Sequence, residues 1–397
     1  MTTLQSRYRQ YKMKLKEQIS FDEFDGKKFK IRLLKPNEDS KAILTHYLHN
    51  IHNGVSKHFK KDALKVLNEY VEYKIEDEHV SMVAEEALQQ LLFEVENVPF
   101  PTPAKYKFKF IDLFAGIGGF RIAMQNLGGK CVFTSEWDKE AKKTYRANFG
   151  EVPFGDITKP HIKNYIPADF DVLCAGFPCQ AFSIAGKRGG FDDTRGTLFF
   201  DVAEIIKKHK PKAIFLENVK GLTSHDKGKT FTVIKNTLED LGYYVFTKVM
   251  NASDFEVPQN RERIFIVGYN KKFFTSVDFQ FPKPFNQKVY INKFLEKNVS
   301  GYSILKHLQQ SYIFKKADGK PQILDTNSTI QVKTLVSTYF KIQRLTGTFV
   351  NDGDTGLRLL TINECKKIMG FSDNFIVPVS RTQAYKQLGN SFAVPAI

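Results

Sequence analysis

The sequence predicts an α/β protein built on a doubly wound, mostly parallel sheet, and three observations carry that expectation. Short apolar runs alternate with stretches of helical periodicity from Lys107 to Tyr269, the pattern of strands joined by crossover helices. A glycine-rich turn, Gly116-Ile117-Gly118-Gly119, follows the first run, where such a fold places a ligand against a helix N-terminus. Pro99–Lys105 (PFPTPAK) carries three prolines and sets this region apart from a helical N-terminal part, because a residue without an amide hydrogen interrupts helix and sheet alike.

Residues 1–98 read as a helical extension. Ala42–Ile51, Ala63–Tyr73 and Val80–Val95 carry apolar residues at three- and four-residue spacings, with Glu and Lys on the other faces. Residues 99–105 are the linker. In 106–269, strands Phe108–Leu113, Lys130–Ser135, Asp171–Ala175 and Lys212–Leu216 alternate with helices Phe120–Leu127, Lys139–Asn148, Leu198–Lys208 and Thr230–Leu241. Val245–Met250 and Arg263–Val267 close the series as a strand pair. After Tyr269 the alternation stops. Residues 270–357 are rich in Lys, Phe and Asn, with a strand-like piece at Val332–Phe340, and read as a small separate module. Helical signal returns in 358–397, at Thr361–Met369 and Thr382–Leu388.

With 42% hydrophobic and 26% charged residues the chain can bury the cores of two or three domains, which excludes disordered, collagenous and disulfide-scaffold classes. No run of about 18 apolar residues occurs. The opening MTTLQSRYRQYKMKLK lacks the apolar stretch of a signal peptide, so a cytoplasmic protein away from membranes is expected. Four cysteines, Cys131, Cys174, Cys179 and Cys365, form neither a CxxC pair nor a disulfide framework. The formal net charge is +16, and it is uneven: residues 1–105 are nearly balanced, whereas 270–357 hold 13 basic against 6 acidic side chains. Such an excess points to a polyanionic partner, nucleic acid first, although solvated lysines on a basic protein give the same count. His46, His49 and His52 stand at three-residue steps and are weighed as an ordinary helix face against a metal site, the helix face being preferred.

A ligand site is expected along the first three strand ends. Glu136 ends the second strand, 20 residues after Gly116, where an acid can accept bonds from ribose hydroxyls. Trp137, the sole tryptophan, follows and offers a face for adenine. Asp156, in FGDI, ends a short third strand where a carboxylate can meet an adenine amino group. Both acids could equally cap helices. Position 121 is Arg where a dinucleotide loop has its third glycine, and no GKS/T follows. A nucleoside ligand without pyrophosphate therefore fits better, with S-adenosylmethionine the foremost and a dinucleotide the alternative.

Chemistry is expected at the next strand ends. Cys174 lies inside its strand as a core residue, whereas Cys179 follows Gly176-Phe177-Pro178 beyond the strand. A thiol there becomes a nucleophile only with cationic or dipolar neighbours, and Arg188, Arg195 and the start of the Leu198 helix are the candidates. The following strand ends in Glu217-Asn218, and Gln259-Asn260-Arg261-Glu262-Arg263 puts two arginines on one strand face, unless that run is merely a solvated charge face.

The residues FIDLFAGIGGF, SEWD, GDI, GFPCQAFSIAGKRGGF, ENVKGL, PQNRERIFIVGY and QLGNS occur in one order across 108–397. In this the chain resembles the cytosine-C5 DNA methyltransferases, and is similar to bacterial restriction–modification methylases of the HhaI type. The resemblance implies a Rossmann-like methyltransferase domain over 106–269, completed by 358–397, with 270–357 as a basic target-recognition domain in which Thr334-Leu335 matches a short family pair. It implies Cys179 as the nucleophile on cytosine C6, Glu217 at N3, Arg263 at O2, and Asn218 and Arg261 positioning the loop and nearby phosphates. S-adenosylmethionine would be held by Phe114, Gly116, Ile117, Gly118, Glu136, Trp137, Asp156, Ile157, Pro178, Leu198 and Asn390, with no metal.

The implied partners are double-stranded DNA, from which the target base is flipped, and functionally a restriction endonuclease, with a monomeric enzyme expected. Gly186, Gly189 and Gly190 suit a loop that closes over that base. The alternatives are a tRNA cytosine-5 methyltransferase and a catalytically silent DNA-binding relative. Three departures from the family pattern stand out: Ala185 where near relatives are polar, Phe392 where a small aliphatic is usual, and an end at Ile397 within what should be the final helix. Docking or DNA contact is the expectation for residues 1–98.

Overall fold

The computed structural model describes residues 38–70, 97–178 and 198–397. Helix Val80–Val95, the end of Ala63–Tyr73, Cys179 and the stretch through Thr197, with Ala185, Gly186, Arg188, Gly189, Gly190 and Arg195, lie outside the described residues. Six strands form one sheet in the order β2-β1-β3-β4-β6-β5: β1 Phe108–Leu113, β2 Gly129–Ser135, β3 Val172–Ala175, β4 Ala213–Val219, β5 Tyr243–Asn251 and β6 Glu262–Asn270. The pairs β1/β2, β1/β3 and β3/β4 are parallel, while β6 runs antiparallel to both β4 and β5. Because β2 and β3 flank β1 on opposite sides, the strand order reverses there, and a crevice opens beyond the C-terminal ends of β1 and β3.

The helices are α1 Glu38–His49, α2 Ser56–Tyr70, α3 Gly119–Asn126, α4 Lys139–Phe149, α5 Leu198–His209, α6 Lys229–Asp240, α7 Ile362–Ile368 and α8 Arg381–Asn390. Their ends follow local chemistry. Asp138 caps α4 by accepting the Glu140 and Ala141 amides, and Gly150 closes that helix in the left-handed region at φ 71°. Thr361 and Glu364 form a reciprocal capping box on α7. One face of the sheet buries Ile111, Leu173, Ile214 and Leu216 against Phe199 and Val202 of α5 and Ile234 of α6. The other buries Phe110, Cys131 and Cys174 against Phe120 of α3 and Phe392. Cys131, Cys174 and Cys365 are free and buried, and burial pushes all three thiols above their usual range, which makes them poor nucleophiles.

Ala42, Ile43, Phe59 and Ala63 of α1 and α2 join the same core as Phe133 and Phe154. The proline-rich segment is fastened too: the Phe100 amide donates to Asn148 O at 3.0 Å, and the Phe100 ring packs on Phe149 and Phe375. His46 and His49 are buried, whereas His52 is exposed, and no metal-holding cluster occurs among the described residues. Nor is any described helix long and apolar enough to cross a membrane.

Two expected strands are corrected. Phe154 makes a single parallel bridge to Ser135 rather than a third strand through FGDI. Val332–Phe340 is likewise no strand: Val332 bridges Gln259 once, and the segment ends in a 3-10 turn from Tyr339. Its polar groups explain why. Thr334 Oγ1 donates to Asn260 O at 2.5 Å, and the Leu335 amide donates to Gln259 Oε1 at 2.7 Å, so both bond the PQNR segment instead of a ladder. Within 270–357 the regular sheet is the short parallel pair β7 Gln322–Leu324 and β8 Thr348–Val350. The buried residues of this segment form one cluster with Cys365 of α7, Leu388 of α8 and Tyr145 of α4.

Candidate active site

The crevice is built from backbone turns that few residues can make. After β1 the chain passes through Phe114 at φ 57°, Gly116 at φ 56° and Gly118 at φ 93°. A Cβ on Gly118 would lie 2.2 Å from the Phe149 ring, whereas one on Gly116 would meet nothing within 4 Å. Gly118 thus serves close packing, and Gly116 borders open space. Glu136 holds this loop: its two carboxylate oxygens accept the Gly116 and Asp138 amides, each at 2.7 Å. Burial raises its pKa above the ordinary carboxylate value, and those amide bonds pull it back. The acid expected at a ribose therefore also ties β1 to β2, with lone pairs left over.

The Glu136 amide donates to Phe154 O at 2.9 Å, which brings Asp156 and Ile157 alongside. Ile157 is buried and Asp156 partly exposed, the Asp156 carboxylate accepting the Thr158 amide at 3.0 Å. Trp137 is 74% exposed, unusual for the largest apolar side chain. Arg121, where a dinucleotide loop would narrow to glycine, is fully buried and pairs with Glu151 at 2.8 Å. Open space at Gly116, an exposed indole and a reachable carboxylate fit a nucleoside ligand. Pro178 and Asn390 are exposed and Leu198 partly so. The α8 end that carries Asn390 is fixed by Thr144 Oγ1 donating to Gln387 Oε1 at 2.7 Å and by Lys386 on Asp138 at 2.8 Å.

At the end of β4, Glu217 Oε1 lies 2.9 Å from Arg263 Nε, with the Glu217 side chain 8% exposed. Burial raises the Glu217 pKa, with Arg263 and then Arg261 opposing the rise. Burial likewise lowers Arg263, against the pull of Glu217. Burial thus disfavours the carboxylate form of Glu217, while the guanidinium beside it opposes that shift. A small cavity beside them is lined by Ala252, Arg261, Phe265 and Phe392. Asn218 donates its side-chain amide to Phe177 O at 2.8 Å, fastening the turn that leads to Cys179.

Arg261 is buried and donates to Leu335 O at 3.1 Å, Gly389 O at 3.1 Å and Ser391 O at 2.7 Å, so its guanidinium faces protein carbonyls rather than phosphates. Desolvation lowers its pKa to about 9. Asp112, inside β1, is fully buried; neither carboxylate oxygen has a hydrogen-bond partner among the described residues, and burial raises its pKa well above the usual range. The lone acid inside FKFIDL was the available signal.

Fold and site together define an α/β protein with a crevice at the switch point of its sheet and an acid–arginine pair on the next strands. Among solved structures, the S. pombe Dnmt2 methyltransferase shares this fold with a TM-score of 0.59 at 19% identity, over 73% of this chain and 96% of that one. The type II methyltransferase M.MspI of Moraxella sp is 57% identical over 291 residues, 73% of this chain and 68% of that relative. M.HpaII of Haemophilus parainfluenzae is 50% identical over 341 residues, 80% of this chain and 94% of the relative. A family model for C-5 cytosine-specific DNA methylase matches residues 108–397. The protein belongs to that family of methyltransferases.

Proposed function

We propose that the protein is a DNA (cytosine-5-)-methyltransferase that moves a methyl group from S-adenosylmethionine to C5 of a cytosine flipped out of a short duplex site, as the modification partner of a restriction endonuclease in the cytoplasm. The observation that carries this reading is the pair of buried Glu217 and half-buried Arg263 at 2.9 Å, next to the Phe177 turn that Asn218 holds. Carbon 5 of cytosine is too weak a nucleophile to take a methyl group unaided. Addition of the Cys179 thiolate to C6 pushes electron density toward N3 and O2. Glu217 shares its proton at N3 and Arg263 donates to O2, so the developing charge is neutralised where it forms. C5 then has enamine character and can attack an electrophilic methyl. Loss of the C5 proton, with departure of the thiolate from C6, restores the aromatic ring and the free enzyme.

S-adenosylmethionine supplies the methyl group as a sulfonium. Phe114, Gly116, Ile117, Gly118, Glu136, Trp137, Asp156, Ile157, Pro178, Leu198 and Asn390 would hold it. Arg261 acts as a positioning residue that ties Leu335 to the end of α8, while 358–397 completes the domain begun at 106. The basic segment 270–357 would recognise the duplex site through base edges and phosphates, and flipping the base requires a few kcal/mol of unstacking.

The test is covalent trapping. A duplex with 5-fluorocytosine at the target has no C5 proton to lose, so donor-loaded enzyme should accumulate as a cross-linked adduct. Cys179→Ser should bind the duplex and form none. Absence of an adduct with folded, donor-loaded wild-type protein overturns the assignment.

A further inference from the structure

Residues 38–70 lie outside the segment matched by the family model, and the chemistry above does not use them. Yet α1 runs along the outer edge of β2, the terminal strand of the sheet. His46 Nε2 accepts the Thr134 amide at 3.0 Å, while Nδ1 sits 2.8 Å from Ala42 O. That geometry specifies a neutral ring protonated at Nδ1. Asn50, one turn on, directs its side-chain amide to Val132 O at 3.5 Å, a weaker contact in the same sense.

The spacing has a physical basis. Four helical residues rise about 6 Å and two strand residues about 6.6 Å, so side chains at i and i+4 of a helix meet alternate outward groups of a strand. Beyond Thr134 the edge passes to Phe154, whose amide donates to Thr134 O and whose carbonyl accepts the Glu136 amide, both at 2.9 Å. Thr45 Oγ1 accepts the Val152 amide at 3.0 Å and fixes the segment that delivers Phe154. The edge of β2 is thereby held from Thr134 as far as Glu136, which in turn holds the Gly116 amide.

We propose that α1 is a working part of the cofactor site: His46, with Thr45 in support, is a positioning residue that fixes the end of β2, and so Glu136 and Trp137, for an adenosyl methyl donor. This rests on the reading of the crevice given above. Residues 38–50 then serve donor binding.

The test compares full-length wild type, His46→Phe, which keeps the ring shape but loses the acceptor, and His46→Gln, which keeps an acceptor. Donor affinity is read from Trp137 fluorescence and by calorimetry with S-adenosylmethionine, beside KM for donor and for duplex. His46→Phe should weaken donor binding, in Kd and in KM, about tenfold, with KM for duplex changed less than about twofold, and His46→Gln should recover most of the loss. Partial unfolding would instead lower the active fraction and kcat while leaving KM for the donor unmoved, so that outcome overturns the proposal, as do equal losses in both variants or no loss in His46→Phe. If His46→Phe melts below the assay temperature, Thr45→Val decides, an unchanged donor affinity overturning the proposal and a loss of about threefold supporting it. A wild-type chain that binds no donor removes the reading of the crevice itself, whereas wild type that binds and variants that match it remove only the role of α1.

Discussion

Glu217 and Arg263 meet across the antiparallel pair of β4 and β6, Oε1 to Nε at 2.9 Å, with burial pushing the acid up and the guanidinium down. If protonated Glu217 is the working form, kcat/KM falls as pH rises through its raised pKa. Arg263 opposes that rise, so removing its charge in Arg263→Gln raises the Glu217 pKa further and moves the basic limb to higher pH, even as the lost O2 contact lowers the rate. Glu217→Gln keeps a donor but has no proton to share; its rate should drop about 100-fold or more, and the limb assigned to Glu217 should vanish. A pH–rate profile unchanged in Arg263→Gln contradicts the assignment.

The buried histidines set an acid limit to stability. Burial lowers His46, and it lowers His49 to about 3, from an ordinary 6.5. The folded state holds both neutral, whereas the unfolded chain protonates them below about pH 6.5. Their contribution is therefore complete above that pH and is lost as pH falls, by about 1.4 kcal/mol per unit for each histidine. Glu136 and Glu217, whose pKa values are raised, titrate with the opposite sign, so a variant comparison is needed. Urea midpoints measured from pH 7 to pH 5 should fall less steeply for His49→Gln than for wild type; parallel curves would contradict it.

Arg261 should behave as a clamp. Three carbonyls, on Leu335, Gly389 and Ser391, accept from it in a buried site. Lysine brings charge without the planar fork and cannot serve all three. Arg261→Lys should lose about 2–4 kcal/mol, from two carbonyls left unmatched in a buried place. Calorimetric melting would show it, and a Tm within about 1 °C of wild type would contradict it.

Legibility in the sequence followed the range of the interaction. The alternation of strands and helices was readable because periodicity is local, and the placing of Glu136 at the end of β2, beside the Gly116 turn, followed from the same alternation. Val332–Phe340 misled because its apolar content matches a strand, while Thr334 and Leu335 bond Gln259 and Asn260 far back in the chain. FGDI misled for a related reason: one bridge at Phe154 leaves the remaining residues without a partner strand. The Thr134 amide on His46, 88 residues away, leaves no periodic trace at all. In sequence Arg121 shows only that a glycine is missing, and its pairing with Glu151 explains why a large cation sits there.

Phe392, where the family usually has a small aliphatic, is explained by packing and yields the last prediction. A Cβ on Gly176 would lie 2.0 Å from the Phe392 ring, and Gly176 has no positive φ, so alanine there is excluded by the ring alone and not by the backbone. Gly176 stands at the end of β3, three residues before Cys179, and Phe392 follows the α8 end that carries Asn390. Gly176→Ala should therefore destabilise the protein by about 1–3 kcal/mol through overpacking and disturb the turn before Cys179, the proposed nucleophile. Phe392→Val alone leaves a void, with a loss of similar size. The double variant should be more stable than the two losses summed, because each change fills or relieves the other. A double-mutant cycle in urea, run beside 5-fluorocytosine trapping, tests both consequences. A coupling energy within about 0.5 kcal/mol of zero would mean that the ring moves freely and that this contact does not set the shape of the turn.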